Sequence, residues 1–149
     1  MSKPPLKPVN IGGSADETEA SFYEALQSGD LDKLMACWAD EDDVICIHPG
    51  SPRLVGLGAV RAAFEMALSN GAVRIQVESL RKVESMTSAV HSVRERIDIL
   101  TSEGSVEAIA MATNIYFKTA HGWRMVAHHV SAGGVHDTDD ISDSPHVLH

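Results

Sequence analysis

The chain has 149 residues, 44% hydrophobic and 22% charged, and its 21 Asp and Glu outweigh 12 Lys and Arg to give a formal net charge of −9. That length suits one domain with a real core, and an acidic chain without a Lys/Arg cluster argues against nucleic acid and anionic membrane as partners. No basic segment runs into a long apolar one at the start, and no stretch approaches ~18 consecutive apolar residues, so neither a signal peptide nor a membrane span is expected and a cytoplasmic location is.

Residues 1–13 carry Pro4, Pro5 and Pro8 with little periodicity and read as a flexible arm. Ser14 then offers a cap, Glu17 follows three residues later, and Asp16 and Glu17 suit the positive start of a helix. Phe22, Ala25 and Leu26 form its apolar stripe and Gly29 ends it. Asp30 caps a second, short helix with Leu31, Leu34, Met35 and Trp38 at spacings of three and four. The acidic run at 40–43 breaks it, and Asp40 and Asp43 read as capping and solvating groups rather than bases. A strand, VICIH at 44–48, leads into the turn PGSP, and residues 56–71 repeat apolar positions at Val60, Phe64 and Leu68, a third helix with Gly71 past its end. Four long strands follow, at 72–84, 88–101, 105–119 and 122–132. Gly104 and the AHG at 120–122 fall at hairpin positions. Residues 133–149 are acidic and read as a mobile tail, leaving 14–132 as one domain.

Helices that come first and then cover one face of a mostly antiparallel sheet make an α+β domain. A strongly curved sheet closed by helices leaves a cone-shaped cavity, the kind of site that has apolar walls and few polar groups. The two cysteines, Cys37 and Cys46, sit among apolar residues and read as buried free thiols.

Two segments carry a resemblance. CIHPGSPRLVGLGAVRAAFE (46–65) and ATNIYFKTAHGWRMVAHHVS (112–131) resemble the NTF2-like superfamily, and more closely its SnoaL-like small bacterial members, which are similar to the association domain of calcium/calmodulin-dependent kinase II. The likeness spans about residues 15–132. It implies a cystatin-like cone of three N-terminal helices on a curved mixed sheet, a pocket between them, and a homodimer formed through the sheet. It implies little about chemistry, because the superfamily holds isomerases, cyclases, dehydratases, transport adaptors and oligomerisation domains.

Strand alternation nominates the site. In the last strand Trp123, Met125, Ala127, His129 and Ser131 share one face, taken as the inner one, and the resemblance likewise makes the second His of HHVS the pocket residue. His128 then faces outward, where a dimer partner would cover it. In SVRERIDIL, Glu95 shares its face with Val93, Ile97 and Ile99, so a carboxylate sits on an apolar inner face and needs a partner or a raised pKa. Glu95 and His129 would make an acid–base couple. In strand 105–119 either Asn114 and Tyr116 or Ile115 and Phe117 face the pocket. The pattern leaves this open, although the second pair is more core-like. Tyr116 reads as a proton donor or a dimer-interface aromatic. Trp38 reads as core packing or pocket lining. His48 is a rim residue or a surface histidine at a turn, and Arg53 meets an anionic ligand or a nearby aspartate.

No H-E-x-x-H or other metal motif and no glycine-rich phosphate loop is present, so no metal and no cofactor is expected. The expectation is a homodimer that binds a small organic ligand in a largely apolar pocket. The alternatives are an isomerase, cyclase, dehydratase or hydrolase using the Glu/His pair, and an oligomerisation module.

Overall fold

The computed structural model describes residues 12–69, 73–134 and 140–143. Most of the proposed arm and tail, and the Gly71 helix end, lie outside them. Among the described residues three helices and six strands follow one another as α1 (Ala15–Ser28), α2 (Leu31–Ala36), β1 (Ile45–Ile47), β2 (Leu54–Val55), α3 (Leu57–Leu68), β3 (Arg74–Glu84), β4 (Ser88–Thr101), β5 (Gly104–Thr119) and β6 (Gly122–Ala132). No helix among the described residues is long and apolar enough to cross a membrane.

The helix ends follow from local chemistry. Ser14 Oγ accepts the Glu17 amide at 3.1 Å, satisfying one of the free N–H groups of the first turn of α1. Gly29 closes that helix with φ 71°, a left-handed conformation that costs glycine nothing. Asp30 Oδ1 repeats the Ser14 device for α2, accepting from the Lys33 amide at 3.0 Å. The short strand β2 is absent from the sequence reading, because two residues carry no periodicity.

The sheet order is β2-β1-β6-β5-β4-β3, with β1 and β6 parallel and every other pair antiparallel. The β5–β6 hairpin turns at Gly122, φ 103°, where a Cβ would stand 2.7 Å from the Gly12 carbonyl oxygen. Glycine is required there twice over, for its backbone angle and for the close approach. The core fills the concave side. Phe22 is fully buried and meets Tyr23, Trp38 and Phe64 edge-on, with ring centroids 5.1, 6.4 and 5.9 Å away.

One irregularity decides which side chains enter the concave face. Ile115 pairs with Ala127 and Tyr116 with Met125, so Val126 is an extra residue without a partner. Such a β-bulge breaks the two-residue alternation. Before it Met125 is buried; after it His128 and Val130 are, while His129 is exposed. The expected inward His129 and outward His128 are thereby exchanged.

Candidate functional site

Along β5, Ala108, Ala110 and Ala112 share the concave face with Asn114 and Tyr116. Methyl groups cannot fill the space between sheet and helices, and a cavity of about 330 Å³ remains. Its walls come from Leu26, Phe64 and Ala67 on the helices and from Ile75, Ile97, Ala108, Ala110 and Val130 on the sheet. Three polar side chains, Glu95, His128 and His48, interrupt this apolar lining, and none of the described lining residues is a lysine or arginine.

A directed hydrogen-bond chain holds two of them. Glu19 Oε2 can only accept, so the Asn114 amide nitrogen faces it, at 3.3 Å. The same nitrogen donates to the Tyr23 hydroxyl at 2.9 Å, and that hydroxyl donates onward to Glu95 Oε2 at 2.7 Å. The Asn114 carbonyl oxygen is left facing His128 Nδ1 at 2.6 Å. It can only accept, so Nδ1 carries the proton and the neutral His128 ring keeps its lone pair on Nε2. One asparagine thus orients two of the three polar groups of the cavity, Glu95 through Tyr23 and His128 directly, each as a hydrogen-bond acceptor.

Burial sets their protonation. It pushes the Glu95 carboxyl up, against the hydrogen bond from Tyr23, which lowers it. It pushes His128 down to about 3, helped by the neighbouring His48 and His129. His48 is lowered by burial as well. Its ring lies 5.6 Å from that of His128 and 5.4 Å from Phe64, centroid to centroid. Burial raises Glu19 too, but the hydrogen bonds from His91, Tyr116 and Asn114 outweigh it and hold this carboxylate below its usual range.

The candidate residues therefore divide. Glu95, 3% exposed, lines the cavity, as does the half-buried His48. His129 does not line it, and His128 takes its place. Asn114 and Tyr116 face inward, and the more core-like Phe117 lies outside, 48% exposed. Hydrogen bonding overrides hydrophobicity here: Tyr116 donates to Glu19 at 2.7 Å and Asn114 satisfies three neighbours. Tyr116 is thus buried within its own chain rather than at an interface, and it stands behind the cavity wall. Trp38 packs in the core. Trp123 is half-buried, its carbonyl oxygen accepting from Thr18 at 2.8 Å. Ser131 is exposed, and Arg53 is exposed in the turn. Cys37 and Cys46 are buried free thiols, and burial raises them to about 11 and about 12, so neither is a thiolate nucleophile at neutral pH.

Tyr23 and Glu19 escaped the sequence reading. Their signal is in the sequence: they stand four apart on α1, on the face that also carries Phe22 and Leu26. A carboxylate and a phenol inside an apolar helical stripe point at buried partners.

The SnoaL-like domain family matches residues 16–133. A solved structure from Thiobacillus denitrificans, provisionally described as a calcium/calmodulin-dependent protein kinase type II association domain, is 33% identical. It covers 83% of this chain and 98% of its own, with a TM-score of 0.75. A provisionally described dehydratase of the NTF2-like family from Streptomyces avermitilis is 25% identical over 78% of this chain and 91% of its own, TM-score 0.70. A ketosteroid isomerase-like protein from Erwinia carotovora shares the fold at 15% identity, covering 87% and 98% of the two chains, TM-score 0.70. No curated protein sequence matches the chain.

Proposed function

The chain belongs to the SnoaL-like domain family, and from that premise we propose that it binds a small, largely apolar organic molecule in the concave cavity and removes a proton from it with Glu95. The observation that carries this reading is a carboxylate 3% exposed in an apolar cavity wall, oriented by Tyr23 and facing no cation among the described lining residues. A carboxylate so placed is a stronger base than one in water and has no structural counter-charge to satisfy. His128 Nε2 supplies a second acceptor, suited to a ligand hydroxyl. The cavity volume lies at the low end of the range for ligand sites and so favours a molecule of one or two rings. The description of the Streptomyces relative as a dehydratase is in keeping with such chemistry. The unit that does this is the domain at 14–132, working in the cytoplasm.

The test uses two probes. 2-Naphthol, an apolar ring pair with one hydroxyl, reports binding by its fluorescence; 2-tetralone in deuterium oxide reports proton removal as loss of its α-proton NMR signals. We expect both, with exchange falling about 10²–10⁴-fold in Glu95→Gln. Binding without catalysed exchange sinks the enzymatic part and leaves a binding protein. Failure of both probes sinks the reading altogether.

A second reading concerns assembly, and one observation favours it. On the convex face of the sheet, Ile45, Ile115, Phe117, Val126 and Ala127 line a depression of about 440 Å³ bordered by Glu41 and Asp43. We propose that two copies of the chain meet on this face as a homodimer, which leaves the concave cavity free.

A further inference from the structure

Away from the cavity, where the end of β3 and the start of β4 meet the first turn of α1, a second polar cluster contains one orphaned atom. His91 is fully buried, and its Nδ1 lies 3.0 Å from Glu19 Oε2. Its Nε2 is buried without a hydrogen-bond partner among the described residues. That atom points between two half-exposed carboxylates, 3.5 Å from Glu84 Oε1 and 3.7 Å from Asp16 Oδ1. With Nδ1–H donated to Glu19, a neutral ring would aim its lone pair at two negative oxygens. Such an arrangement calls for positive charge at that point, supplied either by a proton on Nε2 or by a metal ion.

We propose that His91, Asp16 and Glu84 bind one divalent first-row transition metal ion of the zinc type. The three ligand atoms lie within 4.8 Å of one another. Atoms bound about 2.1 Å from a tetrahedral centre stand about 3.4 Å apart, close to the two distances from Nε2. Glu19 fills the outer role that metal-binding histidines require: it accepts the other ring N–H and fixes the tautomer. One imidazole with two carboxylates suits zinc, cobalt or manganese better than magnesium or calcium. The remaining position opens to solvent between the exposed carboxylates.

Lys82 is the competitor. Its Nζ lies 2.7 Å from Asp16 Oδ1, and Lys82 pairs directly opposite His91 across β3 and β4. A metal ion displaces this half-exposed ammonium into solvent. A proton is the other competitor: as an imidazolium, His91 would satisfy the same carboxylates without metal. Sequence motifs miss the site because its ligands come from three separate segments.

Chelator-treated protein is titrated with cobalt(II) followed by visible absorption and with zinc by calorimetry. The expected result is one ion per chain. Affinity should fall about tenfold or more in Asp16→Asn and in Glu84→Gln, both surface changes whose folding circular dichroism checks, and rise in Lys82→Met. Zinc should also shift the His91 ring resonances. No uptake, or uptake indifferent to both carboxylate variants, overturns the proposal; the first result leaves His91 an imidazolium and the second places the ion elsewhere. The proposal does not rest on the function assigned to the cavity.

Discussion

His128 gives the molecule a measurable acid response. In the unfolded chain its imidazole titrates near the ordinary 6.5; in the fold it stays neutral down to about 3. Between those values the unfolded state binds a proton that the folded state refuses. Stability therefore falls as pH drops from about 6.5 toward 3, by at most about 1.4 kcal/mol per pH unit for this one group. Above 6.5 the contribution is fully present and constant. Glu95 acts in the opposite sense. Its folded carboxyl holds a proton more tightly than the unfolded one, so it disfavours the fold once pH has risen past its raised value and offsets part of the His128 effect on the way down. Urea-unfolding free energies measured from pH 6.5 to 4 should thus decline less steeply in His128→Gln than in the wild type. An unchanged slope would mean that His128 is not the neutral buried imidazole described above, whatever the variant does to stability at pH 7.

At the scale of elements, the β6 bulge is what sends His128 rather than His129 into the cavity. Met125 donates to the Cys37 carbonyl at 2.8 Å and accepts from the Ala39 amide at 2.9 Å, so the strand is pinned to the end of α2 just before the extra residue. Deleting Val126 keeps the pairing on both sides and keeps His128 inward, since Met125 inward and Ala127 outward already alternate. What is lost is the local bend. We expect the deletion variant to fold, to lose roughly 1–3 kcal/mol of stability, and to retain in NMR a neutral His128 below pH 5. If His129 becomes the protected ring, the strand has slipped register instead. Much of the element plan is legible in the sequence for physical reasons. Ser14, Asp30 and Gly29 terminate helices by chemistry local to a few residues, and Gly104 and Gly122 mark hairpins through positive φ. Glu95 is legible as an inward carboxylate because β4 keeps its alternation around it. The choice between the histidines is not, because a bulge leaves no mark in composition. Nor is the inward turn of Asn114 and Tyr116, which depends on a carboxylate 95 residues away from Asn114 in the chain.

The whole molecule sets charge against apolar surface. Each chain carries −9 overall, so two copies repel at long range. Yet Phe117 is 48% exposed on the convex face, in a depression with Ile115, Val126 and Ala127 where the acidic groups stand at the border. Burying that surface is favourable at about 25 cal/mol per Å², and it acts only at contact, whereas the repulsion is cut by salt with a Debye length of about 10 Å at 0.1 M. A dimer through this face should therefore tighten as salt rises, the reverse of an assembly held by ion pairs. Phe117→Glu removes apolar area and adds a charge at the centre of the patch. Because this residue lies outside the core and the cavity, the variant should fold normally and bind 2-naphthol as the wild type does. Light scattering across a salt series should give twice the chain mass for the wild type and the single chain mass for Phe117→Glu. A wild-type monomer at every salt concentration, or a dimer unaffected by Phe117→Glu, would place self-association elsewhere or remove it, and either outcome leaves the cavity chemistry to stand as a property of the single chain.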